Sequence, residues 1–323
     1  MIYLKILDKL GDTPMVKIEP KGLDNINLYA KLEGYNPMGG VKDRAAVYML
    51  KKGIELGEIN KDTIVIESSS GNLGIALSAY CKEFGLKFYC IIDPHISLIN
   101  EYIIKTLSTK MIKVTKPDKN GGYLLNRIKK VHELLKEIPN SYWINQYGNP
   151  YNPEAYKETL GKEICDELDG IDYIFLGVSS GGTITGLSQK IKEIFPKAKV
   201  VAVDVVGSVI FGGVPKKRYI PGIGSSIIPT VLKNAKIDEV LMVDEVSTIK
   251  MCHELLKNHN LFVGGSSGSV FSAVKKYFKN KKFKKKPTVV VVFADKGDRY
   301  INTVYNKNWC DSFLQKYSEI KQL

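Results

Sequence analysis

The stretch NPMGGVKDR, residues Asn36–Arg44, is the most informative segment of this chain. It joins a predicted strand, Asn27–Glu33, to a predicted helix, Asp43–Leu56. A proline and two glycines form a tight turn there, and Lys42 stands at the start of the helix. The positive end of a helix dipole favours the neutral form of a lysine amine, and a neutral amine can form an imine with an aldehyde. Taken alone, the motif fits this chemistry and an ordinary surface lysine equally well.

Strand-like and helix-like segments alternate along the chain beyond this turn. The further predicted strands are Thr63–Glu67, Lys87–Ile92, Tyr173–Val178, Lys199–Asp204, Glu239–Val243 and Thr288–Phe293. The further predicted helices are Asn72–Phe84, Gly121–Ile138, Pro153–Leu168, Thr183–Ile194, Ser247–Lys257 and Ser267–Phe278. Such alternation is typical of parallel sheets covered by helices, in which ligands bind at the carboxyl ends of the strands. Since no internal repeat or flexible linker is found, we expect two intertwined α/β layers.

The composition argues against several classes of protein. No run of about 18 apolar residues is present to span a membrane, and the amino terminus lacks a signal-peptide pattern. We therefore expect a cytoplasmic protein with no membrane partner. The five cysteines and four histidines are scattered and include no CxxC pair, which predicts reduced thiols and no metal site.

The formal net charge is +13, and much of the excess lies in the run KKYFKNKKFKKK, Lys275–Lys286. The interleaved aromatic residues are compatible with a nucleic-acid or anionic-membrane patch. The alternative is a solvated helix end and turn. Because no nucleic-acid-binding motif accompanies the run, we expect no nucleic-acid partner. A general positive field favours a phosphorylated or dicarboxylate substrate.

Three further strand-to-helix loops are rich in glycine and serine. They are ESSSGNLG (Glu67–Gly74), GVSSGGTITG (Gly177–Gly186) and VGGSSGS (Val263–Ser269). The first suits a carboxylate and the second a phosphate, because both expose N–H groups at a helix amino terminus. The second lacks the Walker A lysine and the glycine order of a dinucleotide fingerprint. A serine of the third could donate to a ring nitrogen, and each loop alone is also consistent with a plain helix cap.

Together the four loops resemble the fold type II pyridoxal-phosphate (PLP) enzymes, the cysteine synthase and cystathionine β-synthase family, over essentially the whole chain. The motifs of that family are NPxGSxKDR, TSGNTG, GTGGT and G-x-S-[SA]-G. The resemblance implies an α/β fold of two intertwined three-layer α/β/α domains with the cofactor between them. It places the smaller domain, with the substrate loop, at residues 36–145. The larger, PLP-binding domain comprises residues 1–35 and 146–323.

The resemblance also implies roles for individual residues. Lys42 is the Schiff-base lysine, Asn72 contacts the PLP ring hydroxyl, and Ser266 pairs with the pyridine nitrogen. The phosphate cup consists of Ser179, Ser180, Gly181, Gly182 and Thr183. The residues that hold the substrate α-carboxylate are Ser69, Ser70 and Gln146.

Departures from the family motifs narrow the resemblance. Gly40 and Leu73 stand where cysteine synthases usually have Ser and Thr. Longer stretches resemble the N-(2-amino-2-carboxyethyl)-L-glutamate synthases of the siderophore 2,3-diaminopropionate branch; they include SSGNLGIAL at 69–77, YWINQYGN at 142–149 and DKGDRY at 295–300. That subfamily uses O-phospho-L-serine as the first substrate and L-glutamate as the amine nucleophile. The cup SSGGT, however, is closer to that of ordinary cysteine synthases.

We therefore expect a homodimeric, PLP-dependent transferase that replaces the β-substituent of an activated L-serine through an aminoacrylate. O-phospho-L-serine is the expected first substrate, with O-acetyl-L-serine as the alternative, and an amino-acid amine such as L-glutamate is the expected nucleophile. The alternatives are a cysteine synthase, a cysteine-consuming lanthionine- or hydrogen-sulfide-forming enzyme, a serine/threonine dehydratase or racemase, and a basic binding module.

Two residues are candidates for binding a phosphate or a γ-carboxylate. Arg127 lies in one of the subfamily stretches, and a guanidinium can make a bidentate contact with an oxyanion. Tyr147 directly follows Gln146. The alternative for Arg127 is a solvent-facing position on the predicted helix.

Overall fold

The computed structural model describes residues 3–118 and 122–322, with side chains described as far as Tyr317. The strands of this part of the chain are β1 (Met15–Ile18), β2 (Asn27–Leu32), β3 (Ile64–Ser68), β4 (Lys87–Ile92), β5 (Lys110–Lys113), β6 (Ser141–Trp143), β7 (Tyr173–Gly177), β8 (Lys199–Val205), β9 (Glu239–Val243) and β10 (Thr288–Phe293). The helices are α1 (Lys42–Glu55), α2 (Asn72–Glu83), α3 (Leu98–Leu107), α4 (Leu124–Glu137), α5 (Tyr151–Glu158), α6 (Leu160–Glu167), α7 (Gly182–Ile194), α8 (Glu245–His259), α9 (Gly265–Phe278) and α10 (Lys307–Gln322).

Six strands form the larger sheet, in the order β1-β2-β10-β7-β8-β9. All neighbouring pairs are parallel except β1 and β2. The central strand β10 shows why its sequence is continuously apolar. Val290 and Val292 pack into the core on one face, while Val289, Val291 and Phe293 pack into a second core on the other face. A parallel strand that is covered on both faces needs apolar residues at every position.

Four parallel strands form the smaller sheet, in the order β5-β4-β3-β6. Val65 of β3 faces the core built with α1 and α2, whereas Ile66 faces Val131 and Leu134 of α4. Both sheets therefore lie between helical layers, as the predicted fold class requires. The strands of the smaller sheet fall within residues 36–145, and the limits of the two domains stay a prediction.

The predicted helix Pro153–Leu168 is wrong, because two helices, α5 and α6, occupy this segment. The backbone leaves helical geometry at Thr159, where φ is −115° and ψ is −82°. The Thr159 hydroxyl donates to the carbonyl of Ala155 at 2.6 Å, a local bond that often bends helices. The predicted helix Gly121–Ile138 begins at Leu124, and Gly121 itself lies outside the described residues.

Parallel pairing brings the carboxyl ends of β2, β7 and β10 to one edge of the larger sheet. The turn before α1 follows β2, and the loop before α7 follows β7. Among the described residues, no helix is both long and apolar enough to cross a membrane.

Candidate active site

Lys42 is the first residue of α1 and follows the tight turn predicted from the sequence. Gly39 supports that turn with a φ of +84°, a left-handed conformation that costs glycine little. The Lys42 Nζ donates to the Ser180 Oγ at 2.7 Å. Removal from water lowers the pKa of the Lys42 amine to about 8, and the nearby carboxylate of Glu67 opposes this shift. A substantial fraction of the amine is therefore neutral near pH 8.

Glu67 is a functional candidate that the sequence reasoning missed. It lies near the carboxyl end of β3 and is buried, and burial raises the pKa of its carboxyl to about 7. Its oxygens accept the backbone N–H groups of Ser68 at 2.6 Å and of Gln146 at 3.2 Å. Glu67 thus joins Gln146 to the strand before the serine-rich loop. The sequence signal that could have identified Glu67 was a carboxylate directly before the serines of that loop.

The predicted phosphate cup lies at the amino terminus of α7. Gly181 has a φ of +81°, which favours glycine at this position. At Gly182 a Cβ would lie 2.1 Å from the Asn152 Oδ1, so no side chain fits there. The Asn152 amide donates to the Gln146 carbonyl at 2.6 Å. The cup and the predicted carboxylate-binding Gln146 are therefore packed around one asparagine.

Ser266 is buried near the start of α9. It lines the same cavity as the Lys42 side chain and most of the cup. The sequence-predicted residues that line this cavity are Lys42, Ser179, Ser180, Gly181, Thr183 and Ser266. The structure therefore brings the predicted aldehyde-binding amine, the phosphate cup and the ring-nitrogen partner together.

The remaining predicted residues are not among those that line this cavity, and Ser69 and Ser70 follow β3 of the smaller sheet. Ser69 Oγ accepts the N–H of Gly74 at 3.0 Å and so supports the start of α2. Ser70 Oγ accepts a hydrogen bond from the Arg127 Nη1 at 2.9 Å and donates to Asp93 at 2.8 Å. Asp93 also pairs with the same Nη1 at 3.0 Å. Asp93 was not predicted from the sequence as a site residue.

Arg127 does not face solvent, because its side chain is only 13% exposed. Its Nε is buried and has no acceptor among the described residues. Burial raises the pKa of Tyr147, and the guanidiniums of Arg127 and Arg218 act in the opposite direction. The Glu67 carboxylate raises this pKa as burial does, and Arg218 was not predicted from the sequence.

Asn72 is held by two charged residues that sequence reasoning also missed. Its Nδ2 donates to the Asp295 Oδ2 at 2.7 Å, and its Oδ1 accepts from the Arg299 Nη1. Asp295 comes two residues after the end of β10, at the edge of the sheet where ligands bind. A charged residue directly after a buried strand was the signal that could have found it.

Comparison with known proteins identifies this arrangement. A family model described as pyridoxal-phosphate dependent enzyme matches residues 6–295. The chain belongs to this family. The predicted cofactor, PLP, and the predicted fold class are confirmed, and the protein is a PLP-dependent transferase of the β-replacement, cysteine synthase-like type.

Solved structures of the family superpose on nearly the whole chain. The O-acetylserine-dependent cystathionine β-synthase from Helicobacter pylori is 34% identical, with a TM-score of 0.87 over 94% of this chain and 98% of that one. A hydrogen-sulfide-producing enzyme from Fusobacterium nucleatum is 29% identical, with a TM-score of 0.86 over 93% and 100%. O-ureido-L-serine synthase, at 24% identity and a TM-score of 0.87 over 95% and 96%, shows the fold alone.

The residues around Lys42 fit the cofactor of this family. The enclosed amine can meet an aldehyde, and the glycine-rich start of α7 presents N–H groups to a phosphate. The Ser266 hydroxyl lines the same cavity and suits an unprotonated ring nitrogen. The finer resemblance to N-(2-amino-2-carboxyethyl)-L-glutamate synthases stays a prediction.

Proposed function

We propose that this PLP-dependent enzyme replaces the phosphate of O-phospho-L-serine with the amine of an amino acid such as L-glutamate. The observation that carries the proposal is the Arg127 guanidinium, which lies against the substrate-loop residue Ser70. Its Nη1 is occupied by Ser70 and Asp93, whereas its buried Nε has no acceptor among the described residues. An unpaired N–H of a guanidinium suits a phosphate oxygen.

The charge around Tyr147 supports a second anionic group. Both Arg127 and Arg218 lie close enough to oppose the rise in the Tyr147 pKa. Arg218 is anchored by its Nη1, which donates to the Gly207 carbonyl at 2.7 Å. Two guanidiniums whose charges act on Tyr147, opposed by the single carboxylate of Glu67, suit a doubly charged substrate, such as phosphoserine, or the γ-carboxylate of an incoming glutamate.

The chemistry divides between the cofactor and the chain. Bound PLP withdraws electron density from the α-carbon of the amino acid, which allows its β-substituent to leave. The Lys42 amine is the proposed base for the α-proton, since its lowered pKa brings proton acceptance close to neutral pH. Ser69, Ser70 and Gln146 are proposed to hold the α-carboxylate, and Asn72 is proposed to contact the ring hydroxyl of the cofactor.

A cysteine synthase or a hydrogen-sulfide-forming enzyme is the second candidate. The cup SSGGT favours it, because that motif is closer to ordinary cysteine synthases. The H. pylori cystathionine β-synthase and the hydrogen-sulfide-producing enzyme of F. nucleatum are also named for sulfur compounds. Both candidates share the first half of the reaction and differ in the nucleophile.

A product assay separates these candidates. The enzyme, loaded with PLP, is supplied with O-phospho-L-serine or O-acetyl-L-serine and with glutamate, sulfide or cysteine in turn, and products are identified by mass spectrometry. We expect the fastest turnover with phosphoserine and glutamate. Faster turnover with sulfide or cysteine would establish the second candidate, and pyruvate as the main product would establish a dehydratase.

The wider role follows from the same resemblance. A homodimer is the proposed assembly, amino-acid substrates are the proposed small-molecule partners, and the 2,3-diaminopropionate branch of siderophore synthesis is the proposed pathway.

The lysine run Lys275–Lys286 needs no nucleic-acid partner to explain it. Within it, Lys281 lies 3.1 Å above the Tyr277 ring, which indicates local packing.

A further inference from the structure

We infer that Asp295 and Arg299 are positioning residues, which fix the orientation of the Asn72 amide and thereby the donor that it offers to the cofactor. The inference rests on the contact between Asn72 and the PLP ring hydroxyl proposed above. Neither charged residue lines the cavity around Lys42. The Asn72 amide, which both of them contact, is the group through which we infer that they act on the cofactor.

The two contacts of Asn72 select one orientation of its amide. The Nδ2 donates to the Asp295 Oδ2 at 2.7 Å, and the Oδ1 accepts from the Arg299 Nη1. A guanidinium can only donate hydrogen bonds, and an ionised carboxylate can only accept them. Rotating the amide by 180° would place its oxygen against the carboxylate and its NH₂ group against the guanidinium. The contact between the NH₂ group and the guanidinium would then be repulsive, because neither group can accept a hydrogen bond.

The selected orientation leaves one hydrogen of Nδ2 for the cofactor. An amide nitrogen carries two hydrogens, and Asp295 takes only one of them. A Cβ at Gly40 would lie 3.4 Å from this nitrogen, so the amide is adjacent to the turn that ends at Lys42. Flipped, Asn72 would present an acceptor where the ring oxygen needs a donor.

The Asp295 carboxylate is itself held in place. It is buried, and the Tyr300 hydroxyl donates to the same Oδ2 at 3.0 Å. The backbone packs tightly around it, since a Cβ at Gly264 would lie 1.9 Å from the Asp295 Oδ1. Asp295 therefore has little freedom to follow Asn72, and Asn72 must adjust to Asp295.

Arg299 connects Asn72 to the turn that carries Lys42. Besides the Asn72 amide, it contacts the Met38 carbonyl through Nη2. Met38 directly precedes Gly39, the left-handed residue of the turn. One guanidinium thus joins the start of α2 and the turn before Lys42 to the short 3-10 helix Gly297–Tyr300. This connection sets the amide orientation relative to the lysine that receives the cofactor.

The test uses cofactor-free full-length protein titrated with PLP. The apparent Kd and the visible absorption maximum of the bound cofactor are measured for Asp295→Asn and Arg299→Gln. Each substitution is made in the natural chain and in an Asn72→Ala background. The matched controls are Asp298→Asn and Lys296→Gln, which are exposed positions of the same segment.

We expect each single substitution to weaken PLP binding about tenfold, as the loss of one hydrogen bond to a charged group would, and to move the absorption maximum. In the Asn72→Ala background the same substitutions should change the Kd less than about twofold, because the residue through which they act is gone. The two controls should leave both readouts unchanged.

Two results would overturn this inference while leaving the Asn72 assignment intact. The first is an effect of Asn72→Ala without any effect of Asp295→Asn or Arg299→Gln. The second is a loss of PLP affinity on Asp295→Asn or Arg299→Gln that is just as large in the Asn72→Ala background, which would mark a purely structural role. If Asn72→Ala itself has no effect, both the assignment and the inference fall. Where Arg299→Gln does not fold, Arg299→Lys replaces it. We expect Arg299→Lys to weaken PLP binding about threefold, and an unchanged Kd would contradict the inference.

Discussion

The Lys42 Nζ lies 2.7 Å from the Ser180 Oγ, although 138 positions separate the two residues in the chain. The contact joins the start of α1 to the loop before α7. The predicted Schiff-base lysine and the predicted phosphate cup thereby meet in one cavity. This relationship underlies the predictions that follow.

Attachment of PLP to the cofactor-free protein should depend on pH through the Lys42 amine. Its pKa is lowered to about 8, so the neutral, reactive fraction rises roughly tenfold per pH unit well below 8 and levels off above it. The attachment rate, followed by absorbance from pH 6 to 10, should show the same curve. Free Nα-acetyl-lysine is the control, and its rate should keep rising to pH 10. If the rate of PLP attachment to the protein also keeps rising to pH 10, the lowered pKa of the Lys42 amine is contradicted.

Replacing Arg127 by Ala should raise the KM for O-phospho-L-serine far more than the KM for O-acetyl-L-serine. The expected increase is about tenfold or more, because a guanidinium–phosphate contact is lost only for the phosphorylated substrate. Lys130→Ala is the control on the same helix, since Lys130 pairs with its neighbour Glu133 at 3.0 Å. Equal effects of Arg127→Ala on both substrates would remove Arg127 from phosphate binding.

Replacing Gly181 by Ala should weaken PLP binding and lower the free energy of unfolding by about 1–2 kcal/mol. A left-handed φ of +81° strains an alanine, and its Cβ would lie 3.2 Å from Val231. Gly85→Ala is a matched control, because Gly85 has a φ of +69° but nothing within 4 Å of a Cβ. Urea unfolding and PLP titration should show lost stability in both variants and lost affinity only at Gly181.

Replacing Arg44 by Met should destabilise the fold by about 3–5 kcal/mol, because it leaves a carboxylate buried without its cation. Arg44 Nε pairs with the fully buried Glu33 at 2.7 Å, and Nη1 pairs with Glu163 at 2.5 Å. Lys52→Met breaks an exposed pair with Glu55 on the same helix and should cost about 0.5 kcal/mol or less. A similar loss for both variants in urea unfolding would contradict this reasoning.

Much of the cofactor site follows from sequence order. Lys42, Ser180 and Ser266 stand in loops at the starts of helices, and the parallel pairing of the strands brings these loops together. At Gly182, Gly264 and Gly265 a Cβ would clash with neighbouring side chains. Local pattern and one general rule of α/β topology therefore place these loops together, whereas the roles of their residues come from the resemblance to the fold type II PLP enzymes.

The network around Asn72 does not follow from local pattern. Asp295 and Arg299 lie 223 and 227 positions away from Asn72. Asn72 follows β3 of the smaller sheet and Asp295 follows β10 of the larger sheet, so their contact depends on how the two sheets pack, which hydrophobic periodicity does not specify. A side-chain hydrogen bond across that distance is a tertiary property.

Two errors in the predicted elements have similar causes. Helix α3 was not predicted, because its apolar residues do not form a buried stripe, and Leu98 and Tyr102 are 74% and 72% exposed. The break at Thr159 was missed because buried Leu160 and Ile164 continue the apolar spacing of the preceding helix. Periodicity reports which side chains are buried, not where the backbone turns.

The most direct test of the central claim is to locate the residue that carries PLP. The protein loaded with PLP is reduced with borohydride, digested with trypsin and analysed by mass spectrometry. We predict that the reduced cofactor is found on Lys42, and that Lys42→Ala carries no label and lacks the visible absorption of the bound cofactor. Label on another lysine, or an unchanged spectrum of Lys42→Ala, would contradict the assignment.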